Sequence, residues 1–206
     1  MHQVYYAKIK PLTREERYKL YYNCLPESRQ KRVDNYISQE DKIRSVAAFS
    51  LLIKLLNDNH ISYQNEDFKI DANGKLYLAN SNIYLNLSHS MDFVIAGISD
   101  HPIGVDVEYI KKDKKYEDIA ERVFNQEEII EYRRNINKRM FFYQVWTIKE
   151  SYIKCIGKGL QVDMRSINIS SPEFKNYYFK LFFLKNHQFA ICLNNEPVAN
   201  IKEIKL

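Results

Sequence analysis

Asp106 and Glu108 stand two residues apart in Pro102-Ile103-Gly104-Val105-Asp106-Val107-Glu108. In a strand that spacing puts both carboxylates on one face and Val105 and Val107 on the other. Two carboxylates side by side repel, which raises at least one pKa unless a cation lies between them, and Mg²⁺ commonly takes one or two carboxylates together with phosphate oxygens. The competing reading is an edge strand with a solvated acidic face. Trp146, Glu150 and Lys154 are four apart, so on a helix a carboxylate and an ammonium share a face with an indole. Read alone, that pair is equally an exposed ion contact worth about 0.3–0.5 kcal/mol. Gly157, Lys158 and Gly159 follow it, but the GxxxxGK[ST] phosphate-loop pattern is absent. Asn86-Leu87-Ser88-His89-Ser90 is expected at a strand end, where a turn would offer backbone N–H groups, a hydroxyl and an imidazole to a phosphate. Ser88 and His89 are neighbours and would point to opposite faces of a strand, which argues against a nucleophile–base pair. Arg29, Lys31, Arg32 and Arg44 form a basic cluster, either a solvated face or a seat for a dianionic phosphate.

Positioning these groups requires both helices and strands. Val4 to Ile9 reads as extended, and Thr13 with Glu16 reads as a capping box opening a helix that runs until Pro26. A buried helix is expected from about Ser38 to Asn57–His60. Asp71-Ala72-Asn73-Gly74 supplies the positive-φ turn of a hairpin over Phe68 to Leu78. Strands follow at Ile83–Leu87 and Phe93–Ile98, with Ser88 to Asp92 as the turn between them, and then at Ile103–Tyr109. Helices are expected over Tyr116–Phe124, over Gln126–Asn135 behind an Asn125 cap, and over Lys138–Ile156, closed by Gly157 and Gly159. Strands near Ile167, Tyr177–Leu184, Gln188–Leu193 and Ile201–Ile204 complete the chain. A helix carrying Phe49 and a later one carrying Trp146, each with a following strand, suggest an α+β fold of two related halves packed face to face.

The 206 residues carry 31 Lys plus Arg against 26 Asp plus Glu, a net charge of +5, with 45% hydrophobic residues. That composition excludes a disordered chain. Cys24, Cys155 and Cys192 are odd in number and widely spaced, which points to a reducing, cytoplasmic setting. The start of the chain lacks a secretory signal pattern and no long uncharged apolar run follows, so no membrane span is expected. The positive balance suits an anionic partner, whether nucleic acid, a phosphorylated small molecule or an acidic protein. An aromatic-rich nucleic-acid binder is one reading, with 16 Tyr and 11 Phe to stack bases. No RRM, KH or helix-turn-helix signature supports it, and acidic residues would face the groove.

Taken together, the motifs resemble one family, the Sfp-type 4′-phosphopantetheinyl transferases. The match follows the family's order: the basic amino-terminal segment, Asn73-Gly74-Lys75, Asn86 to Ser90, Pro102 to Glu108, Arg122-Val123-Phe124 with Glu127 and Glu128, and Trp146 to Leu160. The specific elements are Gly-Val-Asp-Val-Glu and Trp-x-x-Lys-Glu-Ser-x-x-Lys-x-x-Gly-Lys-Gly-Leu. The resemblance implies an α+β pseudo-dimer, with halves at 1–100 and 101–206 and coenzyme A bound in the cleft between them. It also implies transfer of 4′-phosphopantetheine from coenzyme A to a serine of an apo carrier protein, releasing 3′,5′-ADP. Asp106, Glu108 and Glu150 would hold Mg²⁺, or Mn²⁺ as an alternative, and Lys154 would contact a phosphate. Asp106, Glu150 and Lys154 would be catalytic, with Glu150 also able to accept the serine proton. Lys31, Arg44, Ser45 and His89 would surround the ribose 3′-phosphate of coenzyme A, Ser88 would be a further coenzyme A-binding residue, and backbone around Gly74 and Lys75 would frame the adenine. A position often held by Lys in the family is Ser28 here, so Arg29 or Arg32 would compensate. The carrier is expected on Phe124 and the helices from Gln126 to Met140, where Arg122, Arg133, Arg134, Lys138 and Arg139 supply charge and Ile129 and Met140 apolar contacts. A monomer without nucleic-acid or membrane partners is expected; a non-catalytic coenzyme A-binding protein of the same fold is the other reading.

Overall fold

The computed structural model describes residues 1–112, 115–195, 197 and 200–206. In chain order the elements are β1 (His2–Lys8), α1 (Glu15–Asn23), α2 (Glu27–Asp34), α3 (Gln39–Asp58), β2 (Phe68–Ile70), β3 (Leu76–Leu78), β4 (Tyr84–Ser90), β5 (Phe93–Ser99), β6 (Ile103–Tyr109), α4 (Glu117–Val123), α5 (Gln126–Arg134), α6 (Lys138–Ile156), β7 (Tyr177–Leu184), β8 (His187–Asn194) and β9 (Ile201–Ile204). The fold is α+β. One sheet has the order β4-β5-β1-β9, a second the order β6-β8-β7, and β2 and β3 form a separate hairpin.

Side-chain alternation decides how these layers stack. On β5, Val94, Ala96 and Ile98 pack with Val46, Ala47, Phe49 and other buried residues of α3. Phe93 and Ile95 point the other way and meet Ile103, Val105 and Val107 of β6 and Phe189, Ile191 and Leu193 of β8. The inner faces of the two sheets therefore share one core. On β6 the even-numbered residues face α6, and Gly104 lets the helix come close: a Cβ there would lie 1.9 Å from the Ser151 carbonyl oxygen and 2.4 Å from the Cys155 nitrogen. Space, not φ, requires this glycine. Each long helix thus covers the outer side of one sheet, with one exchange between the halves. β9, from the far end of the chain, pairs parallel to β1 and edges the first sheet.

Several local expectations are corrected. Thr13 forms no capping box; its hydroxyl donates to the Lys10 carbonyl at 2.8 Å within a 3-10 turn, Lys10–Thr13, and Arg14 is the residue before α1. Pro26 does not simply stop a helix but stands immediately before α2, where fixed φ suits an N-terminus. Ser88, His89 and Ser90 belong to β4 and pair with Ile95, Val94 and Phe93, leaving only Met91 and Asp92 to turn. Ile167 lies in no strand; it follows a 3-10 turn, Met164–Ser166, whose Arg165 N–H donates to Asp163 Oδ1 at 3.0 Å. By contrast, α6 spans the expected residues, capped by Asn137 and closed by Gly157 at φ 71°, and Asn125 and Glu128 form a reciprocal capping box on α5.

Candidate active site

β4 and β6 meet along a seam made by side chains. Every second residue of β4 faces it. Asn86 Oδ1 accepts from the Val105 N–H at 2.8 Å, and Ser90 Oγ accepts from the Tyr109 N–H at 3.1 Å while donating to Glu108 Oε2 at 3.2 Å. Between them Ser88 Oγ donates to Asp106 Oδ1 at 3.0 Å. Lys154 of α6 completes the group: its Nζ donates to Asp106 Oδ1 at 2.6 Å and to Ser88 Oγ at 3.1 Å. Glu150, one helical turn earlier, lines the same cavity as Lys154.

The charges in this group set one another. Burial raises the Glu108 carboxyl, Asp106 adds to it, and the result is about 7. Burial also raises Glu150, with Lys154 opposing. For Lys154 burial alone would lower the ammonium, but Asp106, followed by Glu150, outweighs it and the pKa is raised. Three carboxylates thus share one ammonium. Asp106 is 2% exposed, and its Oδ2 is buried without a hydrogen-bond partner. An orphaned carboxylate oxygen beside a protonated carboxyl is a donor set suited to a hard divalent cation. Among the described residues, no three His, Cys, Asp or Glu side chains converge as a metal site, and Lys154 stands against Asp106 at 2.6 Å. Asp106, Glu108 and Glu150 offer the oxygen donors such an ion takes, without being gathered into a coordination site.

The cavity, about 540 Å³, lies between the two halves. Of the residues expected to bind a ligand, Ser45, Gly74, Lys75, His89 and Lys154 line it, while Ser88 lies behind Lys154. Two are placed elsewhere. Lys31 is exposed and pairs with Glu27 at 2.7 Å. Arg44 is held by Asp41 at 2.6 Å and by Glu40, off the cavity wall but close enough to lower His89. Arg29 and Arg32, three apart on α2, occupy the wall in place of Lys31. Arg29 is buried with its guanidinium 4.8 Å from the Phe49 ring centroid and 3.4 Å from Ser45 Oγ, and burial holds it down to about 10. His89 is held at about 4 by burial, with Arg44 and Lys154 adding to it, so the imidazole is neutral.

Lys75 does more than frame the cavity. Its ammonium donates to the Lys154 and Cys155 carbonyls at 2.7 and 3.0 Å, capping the last turn of α6. Asn73 Nδ2 donates to the Gly157 carbonyl at 3.0 Å, so the hairpin is tied to the end of the helix that carries Glu150 and Lys154. Phe124 is 2% exposed, packed among Tyr132, Phe141 and Phe142, the first two edge-on, and cannot serve as a surface anchor. Exposed apolar groups in that region are instead Ile130 and Ile136.

Residues 102–201, the stretch holding Asp106, Glu108, Glu150 and Lys154, match the family described as the 4′-phosphopantetheinyl transferase superfamily. A 4′-phosphopantetheinyl transferase pptA of Paxillus involutus is 30% identical over 183 residues, covering 76% of this chain and 69% of that protein. The chain belongs to this family. The 4′-phosphopantetheinyl transferase gsp of Aneurinibacillus migulanus is 34% identical over 149 residues, 70% of this chain but 61% of the relative's length. The 4′-phosphopantetheinyl transferase Sfp of Bacillus subtilis (strain 168) is 27% identical over 165 residues, 78% of this chain and 72% of that protein.

The residues that sequence reasoning passed over have a common trait. Asn86 and Ser90 act through the seam, and their spacing of two with Ser88 was the available signal. Lys149, inside the Trp-x-x-Lys-Glu motif, is fully buried in an ion pair, which no local pattern announces.

Proposed function

We propose that the protein transfers 4′-phosphopantetheine from coenzyme A to a serine hydroxyl of an apo carrier protein and releases 3′,5′-ADP. The observation that carries this reading is the seam: Ser88, Asp106 and Lys154 bonded together across the two halves, with Glu108 and Glu150 each raised by burial and by the nearby Asp106. Family membership supports the same reaction. The opposite wall supplies Arg29, Arg32 and His89, groups suited to a phosphate at the far end of the donor.

Asp106, Glu108 and Glu150 would hold Mg²⁺, or Mn²⁺, which when bound neutralises pyrophosphate oxygens and polarises the phosphorus under attack. The chain's own groups do the rest. Lys154, kept charged by Asp106, lies where a phosphate oxygen gains negative charge as the bond to the departing 5′-phosphate breaks. Glu150, raised by burial and facing the cavity, accepts the proton of the attacking serine directly or through a water. The serine Oγ–P bond forms, the P–O bond to 3′,5′-ADP breaks, and the proton ends on Glu150 or solvent. His89 and Arg32 hold the ribose phosphate, and Gly74 with its hairpin frames the base.

In this reading the partner is an acidic carrier, met by a chain of net charge +5 acting as a cytoplasmic monomer. Among the described residues no helix is long and apolar enough to cross a membrane. The test is incubation with coenzyme A, Mg²⁺ and an apo carrier protein, followed by intact mass. The expected result is a carrier heavier by one 4′-phosphopantetheine group. Coenzyme A binding without that gain would favour the non-catalytic reading, and nucleic-acid binding without it a third.

A further inference from the structure

Lys149 is 0% exposed, and its ammonium finds three acceptors on three separate segments. Nζ meets Glu128 Oε2 of α5 at 2.5 Å, the Val123 carbonyl at the end of α4 at 2.9 Å, and the Met164 carbonyl of the following 3-10 turn at 2.9 Å. Three hydrogens and three acceptors leave the group saturated. An apolar side chain of equal volume would fill the space yet take a donor from both carbonyls, leaving the Met164 oxygen only the Ile167 N–H at 3.2 Å.

The neighbours of these contacts lie on the cavity. Glu150 follows Lys149 directly, about a quarter turn around α6, and faces the cavity with Lys154; the Met164 side chain lines the same wall. Fixing Lys149 from behind therefore fixes the rotation of α6 at Glu150 and the distance from α6 to the Val162–Met164 segment. Glu128 is itself held, its Oε2 accepting from the Asn125 N–H at 2.9 Å in the α5 capping box, so the anchor does not drift. We propose that Lys149 is a positioning residue for the transfer reaction, acting through α6 and the 162–166 segment rather than by touching substrate. The inference rests on the proposed transfer activity.

The test replaces both ions, Lys149→Met with Glu128→Leu, so that no unpaired charge is buried. Three measurements on the folded fraction separate positioning from stability. The kcat should fall at least tenfold while the KM for coenzyme A stays within threefold, because Arg32 and His89 stand on the opposite wall. Amide hydrogen exchange should quicken in 148–155 and 162–167 and not in α3 or β5, a local pattern that uniform destabilisation does not produce. Glu128→Gln, which leaves both carbonyl contacts and an amide oxygen for Lys149, should keep kcat within threefold of the unaltered protein. A folded double variant with unchanged kcat, or with exchange unchanged or raised uniformly, overturns the proposal. If the double variant does not fold, Lys149→Gln with Glu128→Gln carries the same expectations, and failure of both to fold assigns Lys149 to stability alone. If the unaltered protein transfers nothing, the activity reading fails, and the exchange pattern still decides the anchoring role.

Discussion

Burial and Asp106 lift Glu108 to about 7 from an ordinary 4.5, so near neutral pH the folded protein keeps a proton that the unfolded chain has released. The sign follows: stability falls as pH rises from about 4.5 to about 7, because the folded state binds more protons over that window. In the proposed function, a divalent cation held by Asp106, Glu108 and Glu150 would compete with that proton. The melting temperature should accordingly rise more on adding Mg²⁺ at pH 8 than at pH 6, by scanning fluorimetry; an equal or larger rise at pH 6 would remove Glu108 from the site. His89 runs the other way, neutral because burial and two cations hold it at about 4. A dianionic phosphate beside it favours the imidazolium, so coenzyme A should bind with proton uptake and 3′-dephospho-coenzyme A without it, read from calorimetry in buffers of different ionisation enthalpy. Arg32→Ala should weaken coenzyme A about tenfold, roughly 1.4 kcal/mol, and hardly affect the dephospho form. Equal changes for both donors would put the phosphate elsewhere. At this scale the carboxylates and Lys154 were legible because strand and helix spacing are local. Lys31 was not separable from Arg29 and Arg32, since choosing among them needs the direction in which α2 faces.

At the scale of elements, β6 and α6 have the bounds their sequences indicate, and Gly104 is the position that lets one lie on the other. Gly104→Ala would drive a methyl group into the α6 backbone, where no side chain can swing aside. A loss of more than about 3 kcal/mol, or failure to fold, is expected in urea denaturation; a variant within 1 kcal/mol of the unaltered protein would show that the helix can retreat. The same contact sets where Asp106 meets Lys154. β4 was misread at its end for a related reason. Ser88 and Ser90 look like turn residues, yet they are strand residues whose hydroxyls serve a neighbouring strand. A polar side chain that satisfies another strand's edge is indistinguishable in sequence from one that bends the chain. Thr13 shows the converse, a capping pattern overridden because its hydroxyl is used inside the turn that precedes α1.

Across the whole molecule, the cavity lies where α2, α3, the β2–β3 hairpin, β4 and α6 converge, and the repeat of helix over sheet was visible as the Phe49 and Trp146 helices. The burial of Phe124 was not, because it looks like an exposed anchor until the packing of Tyr132 and Phe142 is known. The charges there remain available: Arg133 pairs with Glu121 at 3.1 Å with both side chains more than half exposed, a contact of little strength. Reversing Arg133 and Arg134 to Glu should raise the carrier KM at low salt, leave coenzyme A binding unchanged, and lose its effect as ionic strength rises. No carrier-dependent change at low salt would rule this face out.

The parallel pairing of β9 with β1 joins Val4 to Ile201, nearly the two ends of the described chain. During synthesis the outer edge of β1 therefore stays open until almost every other element has been made. Such a closure is slow to form, since its contact spans the largest loop in the molecule. A nascent chain halted after β5 would display an unpaired strand edge, a template for aggregation that the finished protein hides.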